Sequence, residues 1–256
     1  MVRFWPFCED GSAKTNYAIG NKRASIVSHP NRLDHGTLLI GVRAKDGVVI
    51  AADSKVMRGG EAHYADKIHV LGDVAFATEG LTGVADDFLL LLNDRFGRNR
   101  GFNSLYEAKV LAEDLVAELQ ERYGNRVGEN TIGALVAGLE NITSGNAKLY
   151  YLHSHGYAEA VTYRSTGSGG PYATAFVKFL QDPTLDVEEN ARRVAFVIHW
   201  VAEAVDTNVG GKPTIGIIRD GQKQIIWMAD EELDQARRQV ELVRKDLWKR
   251  LTLTEK

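Results

Sequence analysis

The chain has 256 residues, 44% hydrophobic and 25% charged, with a formal net charge of -3. That is the composition of a globular protein large enough to bury a core of its own, rather than of a disordered or membrane chain. There is no Lys/Arg-rich stripe interleaved with aromatics to suggest nucleic acid, and no apolar run of membrane-spanning length.

Cys8 is the single cysteine, so an intramolecular disulfide and a cysteine metal cluster are both excluded. The opening Met1-Val-Arg-Phe-Trp-Pro-Phe-Cys8 lacks the long apolar core of a secretory signal. A reducing interior, by default the cytoplasm, is the expected setting.

The first 36 residues read differently from the rest. Glu9 to Asn16 and Ser28 to His35 are polar, rich in turn formers and without sustained periodicity. From Thr37 the texture changes. Thr37 to Val42 and Val48 to Asp53 are apolar and rich in β-branched residues, separated by the hairpin signal Lys45-Asp46-Gly47. Lys67 to Leu71 and Val74 to Thr78 form a second pair around Gly72-Asp73.

Val84, Phe88, Leu91 and Leu92 mark one helix, with Asp86 and Asp87 expected in its first turn and Arg95 in its last. Ala108, Leu111, Leu115 and Leu119 mark another. Strands are expected at Ile132 to Leu139, Lys148 to His153 and Ala160 to Ser165. Val187, Ala191, Val194, Ala195, Ile198 and Ala202 form a helical stripe. Two strands near Pro213 to Ile218 and Gln224 to Met228 precede a last helix carrying Leu233, Ala236, Val240, Val243 and Leu247. Segregated runs of strands and helices point to an α+β fold built on antiparallel sheets, here one domain behind a removable tail.

At the junction stands His35-Gly36-Thr37-Leu-Leu-Ile-Gly41, running through Asp53-Ser-Lys55. Further landmarks are Lys67-Ile68-His69, Gly80-Leu-Thr-Gly83, Gly167-Ser168-Gly-Gly-Pro-Tyr172 and Asp206-Thr-Asn-Val-Gly210-Gly211. Together, in this order and spacing, they resemble the catalytic β-subunits of proteasomes, from Thr37 to about Met228. The resemblance implies a four-layer αββα sandwich of the N-terminal-nucleophile hydrolase type. It also implies a propeptide, residues 1–36, cut from a catalytic domain, residues 37–256, at the Gly36–Thr37 bond.

A threonine hydroxyl is a poor nucleophile and requires an adjacent base, which in this solution is the residue's own α-amine. Such an amine has a pKa of roughly 7.7–8.0 and is partly neutral near physiological pH. Within a chain the same nitrogen is an amide, so Thr37 is inert while Gly36 remains attached. Glycine suits the cut because a residue without Cβ tolerates a contorted scissile bond.

By the resemblance, Lys67 is an ammonium beside the Thr37 hydroxyl, and Asp53 pairs with it. Ser168 and Asp206 complete the network around the freed amine, and the Gly80 N–H is an oxyanion donor. Thr78 and Glu79 lie by the specificity pocket, where a carboxylate would favour basic side chains. The implied reaction is peptide hydrolysis through an acyl-threonine ester. The implied partners are like β-type subunits in rings, an α-type ring, an ATP-driven unfoldase and polypeptide substrates. The Gly-Ser-Gly-Gly-Pro-Tyr run also looks like the simpler two-ring bacterial relative, which leaves the partner ring open.

Two departures stand out. Leu38 and Leu39 follow the nucleophile where the family usually has hydroxyl residues, and Val209 stands where a serine is common. They motivate an alternative, a non-catalytic ring subunit that keeps its tail. A third reading is a ligase-like relative that passes the acyl group to an amine. No metal is expected, since His153 and His155 have no third ligand nearby; His69 is expected to be a packing or surface residue. No cofactor is expected either, as there is no phosphate-binding loop or dinucleotide fingerprint.

Overall fold

A computed structural model describes residues 36–58, 61–98, 101–127, 132–140 and 145–252. Residues 1–35 of the expected propeptide, Cys8 among them, lie outside the described residues.

In chain order the strands are β1 (Leu39–Arg43), β2 (Gly47–Ala52), β3 (Lys55–Arg58), β4 (Glu61–Tyr64), β5 (Ile68–Leu71) and β6 (Val74–Gly80). Helices α1 (Thr82–Arg98) and α2 (Leu105–Val127) follow, then β7 (Ile132–Leu139), β8 (Ala147–His153), β9 (Tyr157–Ala160) and β10 (Tyr163–Thr166). The chain ends with α3 (Gly170–Leu180), α4 (Val187–Ala204), β11 (Thr214–Arg219), β12 (Ile225–Trp227) and α5 (Asp230–Thr252).

Two antiparallel five-stranded sheets result, ordered β10-β1-β2-β11-β12 and β5-β6-β7-β8-β9. Strand alternation gives each sheet two faces to bury. Leu39, Val48, Ile50 and Ala52 of the first sheet meet Ala75, Ala77, Leu135 and Leu149 of the second. On the outer side of the first sheet, Leu38, Ile40 and Val49 pack under Val177, Val194 and Ile198 of α3 and α4. On the outer side of the second, Phe76 and Val136 pack under Phe88, Leu92 and Leu115 of α1 and α2. This is the expected αββα sandwich. Burial on both faces also explains why β1 and β2 read as continuous apolar runs rather than alternating ones.

The structure corrects several element expectations. The single strand expected at Ala160 to Ser165 is two. β9 pairs with β8 in the second sheet and β10 with β1 in the first, so the chain crosses between layers at Val161-Thr162, where no Gly or Pro announces it. The hairpin β3–β4 was not expected, because its residues Glu61–Tyr64 are exposed and mostly polar. α1 begins at Thr82, so Asp86 and Asp87 lie beyond its first turn; Asp87 instead accepts a hydrogen bond from Tyr123 of α2. α5 keeps Leu233, Ala236 and Val240 buried, but its expected stripe fails at Val243 and Leu247, which are exposed because the helix outruns the core. Among the described residues no helix is long and apolar enough to cross a membrane.

Candidate active site

The site forms where the start of β1, the β2–β3 junction, the start of β5 and the end of β6 meet two loops, 167–169 and 206–211. Leu38 is fully buried beneath the helical layer, which fixes Thr37 at the strand entrance with its side chain partly exposed. The Asp53 and Lys67 side chains are 0% and 6% exposed, and Lys67 Nζ stands 2.6 Å from Asp53 Oδ1.

Every polar atom of this pair has a partner. Lys67 Nζ also donates to the carbonyl oxygens of Lys55, at 2.6 Å, and Gly36, at 2.9 Å. Asp53 Oδ1 accepts from the Leu38 N–H at 2.8 Å, and Oδ2 from Gly210 at 3.0 Å and Lys55 at 3.3 Å. A buried ion pair persists only when its remaining protons and lone pairs are satisfied, as here. Burial pushes the Lys67 ammonium below the ordinary lysine range and the Asp53 carboxyl above its own, while each group's charge opposes the other's shift.

Thr37 Oγ1 donates to the Gly36 carbonyl oxygen at 2.7 Å. That one oxygen therefore receives both the candidate nucleophile and the Lys67 ammonium. Gly36 is constrained as well: a Cβ built on it would lie 2.2 Å from the Asn208 carbonyl oxygen. Glycine is required here by close approach of another backbone, a reason more specific than conformational freedom alone.

Ser168 sits beside Thr37, its Oγ 3.3 Å from the Thr37 nitrogen and 3.4 Å from the Thr37 carbonyl oxygen. Gly167 has φ +86, and a Cβ there would come within 2.3 Å of the Thr37 carbonyl oxygen. The Asp206 carboxylate accepts the Asn208 N–H at 2.9 Å, shaping the turn that carries Asn208 and Gly210. Val209 is buried against Gly169 and Leu38. Its position in the apolar core explains why no hydroxyl stands there.

Beside Thr37 and Lys67 opens a pocket of about 90 Å³, bordered by His69, Thr78, Gly80 and Asp86 among others. Gly80 ends β6 at φ +115, two residues before α1. Thr78 and Glu79 both border the pocket but project to opposite faces of β6. The Glu79 carboxyl accepts hydrogen bonds from Tyr151 Oη, at 3.1 Å, and Thr166 Oγ1. His69, expected to be a packing or surface residue, lines the pocket instead. Burial pushes its imidazole below the usual range, and Asp66 and Asp86 pull it back.

Sequence reasoning missed the parts played by backbone groups, namely the Lys55, Gly36 and Asn208 carbonyls. The turn-forming run Asp206-Thr-Asn-Val-Gly-Gly was the one signal of that crowding.

A sequence model of the proteasome subunit family matches residues 33–218. The chain belongs to that family. Its curated relatives include proteasome subunit beta 1 of Streptomyces avermitilis, 24% identical over 82% of this chain and 79% of that one. Proteasome subunit beta of Methanosphaera stadtmanae is 26% identical over 80% of this chain and 96% of its own. Among solved structures, Anbu (ancestral beta-subunit) from Yersinia bercovieri superposes with a TM-score of 0.70 at 14% identity, covering 82% of this proteasome-family chain and 96% of that chain. At that identity the likeness speaks for the fold alone.

Proposed function

We propose that this proteasome-family chain is the precursor of a threonine-type endopeptidase, activated by cleavage of its own Gly36–Thr37 bond. What carries the reading is the convergence on the Gly36 carbonyl oxygen of Thr37 Oγ1, at 2.7 Å, and Lys67 Nζ, at 2.9 Å. An ammonium at that oxygen stabilises the negative charge that develops when the carbonyl carbon is attacked.

In processing, Thr37 Oγ attacks the Gly36 carbonyl carbon. Its proton passes to the Thr37 nitrogen as the C–N bond breaks, leaving an ester. Water then cleaves the ester, releasing the Gly36 carboxylate and restoring the hydroxyl beside the α-amine that the shift has already freed. In turnover the amine takes the Oγ proton as the hydroxyl attacks a substrate carbonyl. It hands that proton to the leaving amine, and water hydrolyses the acyl-threonine ester. Lys67 supplies charge, Asp53 holds it, Ser168 borders the amine, and the Gly80 N–H serves the oxyanion. Asp206 acts through the turn it shapes.

Residues 1–36 are then a propeptide and 37–256 the catalytic domain. The working form is a ring of like β-type subunits, with an α-type ring and an ATP-driven unfoldase delivering unfolded polypeptides. The decisive test is intact mass and N-terminal sequencing of assembled protein, wild type against Thr37→Ala. A wild-type chain starting at Thr37 and a full-length variant are expected. Normal trimming of Thr37→Ala with no other protease present overturns self-cleavage.

A second reading is a non-catalytic ring subunit. The observation favouring it is Val209, whose apolar burial removes a hydroxyl from the neighbourhood of the amine. A wild-type chain that stays full length after assembly selects it.

A further inference from the structure

Glu79 carries more hydrogen bonds than a specificity residue would need. On β6, Ala75 and Ala77 face the interior between the two sheets, and Glu79 shares their parity. It faces β8 and β10, where Tyr151 Oη and Thr166 Oγ1 both donate to Oε1. The Gly167 N–H and the Arg164 guanidinium face the same carboxyl, and that guanidinium lies 3.9 Å over the Tyr151 ring. Gly133 makes the room, since a Cβ there would come within 2.7 Å of Glu79 Oε1. A half-buried carboxyl drawn in between two sheets is costly to desolvate, and apolar packing would serve stability as well.

What this side chain joins is specific. Its own backbone leads directly into Gly80, at the pocket. The residues it grips, Thr166 and Gly167, lead directly into Ser168, at the Thr37 nitrogen. The two segments belong to different sheets, and among the described residues no side-chain hydrogen bond other than those to Glu79 links them. We propose that Glu79 is a positioning residue that sets the separation between the Gly80 oxyanion donor and the Gly167–Ser168 loop. It acts through these backbones, without touching substrate. The inference rests on the reading of Thr37 as nucleophile, and deepens it.

The test uses the full chain as wild type, Glu79→Gln and Thr166→Val. The second variant removes one donor and leaves the carboxyl, should Glu79→Gln fold poorly. Amide hydrogen exchange is read at Gly80 and at residues 167–169, together with thermal unfolding. With Thr37 freed by an engineered fusion cut, kcat and KM are read separately. The expected result is exchange at least about ten-fold faster at both segments, unchanged elsewhere. With it, kcat should fall about 10–100-fold at nearly constant KM, the usual consequence of displacing reacting groups by about 1 Å. Unchanged local exchange overturns the proposal, as does a loss of activity that merely tracks a lower unfolding temperature. If wild type itself turns nothing over, the peptidase reading fails, while the exchange result still decides whether Glu79 holds the two segments.

Discussion

A methyl group on Gly36 would lie 2.2 Å from the Asn208 carbonyl oxygen, well inside any tolerated contact. The obstacle is backbone rather than a side chain that could swing aside. Gly36→Ala must therefore shift either the scissile peptide or the 206–211 turn, and with it the 2.7 Å and 2.9 Å contacts on the Gly36 carbonyl. Self-processing should slow by about 10²-fold, the penalty for misplacing reacting groups by about an ångström. Time courses of intact mass after assembly measure it, and processing at the wild-type rate removes the crowding argument.

Lys67→Ala should nearly abolish processing and turnover. Removing an ammonium from a developing oxyanion in a partly dry site costs several kcal/mol, on the order of 10²–10⁴ in rate. Lys67→Arg should rescue poorly, because a planar fork cannot donate at once to Asp53, Lys55 and Gly36 as the compact ammonium does. Asp53→Asn should be milder in rate. Turnover by correctly assembled protein, with Thr37 exposed beforehand, separates these effects from processing. Near-normal hydrolysis by Lys67→Ala would reduce the pair to a structural bridge.

The pH profile carries a sign. Burial lowers the Lys67 pKa from the model-peptide value of 10.5, so the ammonium is lost at a lower pH than on a free lysine. Activity that needs the charged form is complete below that lowered pKa and falls as pH rises through it. With Thr37 freed, kcat should show an alkaline limb below pH 10.5. An activity plateau extending past that value contradicts the assignment of charge to Lys67.

Introducing a hydroxyl at position 209 should not raise activity. Val209 is 2% exposed and packs on Leu38 and Gly169. Val209→Ser removes a methyl and buries a hydroxyl, which should destabilise by about 1–3 kcal/mol. Denaturant unfolding reads this; an equal midpoint and unchanged slope would mean that the turn repacks.

Side-chain preference should follow Asp86 rather than Glu79. The Glu79 carboxyl is engaged by Tyr151 and Thr166, whereas exposed Asp86 borders the pocket beside His69. Asp86→Asn should lower turnover of Arg-ending relative to Leu-ending peptides several-fold, and Glu79→Gln should leave that ratio unchanged. The opposite pattern would return selectivity to Glu79.

Much of this was legible in the sequence where the signal is local. Thr37, Asp53 and Lys67 sit at the ends of strands whose apolar runs are unmistakable, and Gly72, at φ +62, turns the second hairpin where expected. Illegible features depend on distant pieces of chain. The β9–β10 crossing is decided by which sheet each strand joins, a choice that Val161-Thr162 does not advertise. The partners of Glu79 come from β8 and β10, and the Asn208 carbonyl that dictates Gly36 lies far along the chain. The hydrogen bond from the Asn208 N–H to Asp206, which shapes the 206–211 turn, likewise has no signal in the sequence beyond the turn formers themselves.

An ammonium has three protons, and in this chain all three of Lys67 are spoken for: Asp53, Lys55 and Gly36 take one each. Two of those acceptors are permanent parts of the domain. The third belongs to the residue that maturation would discard. Excision of Gly36 would leave one N–H bond of a buried cation pointing into an empty place the size of a peptide carbonyl, beside the Thr37 hydroxyl. On the proposed reading, the Gly36 carbonyl would occupy in the precursor the place that a substrate carbonyl takes once cleavage has removed it.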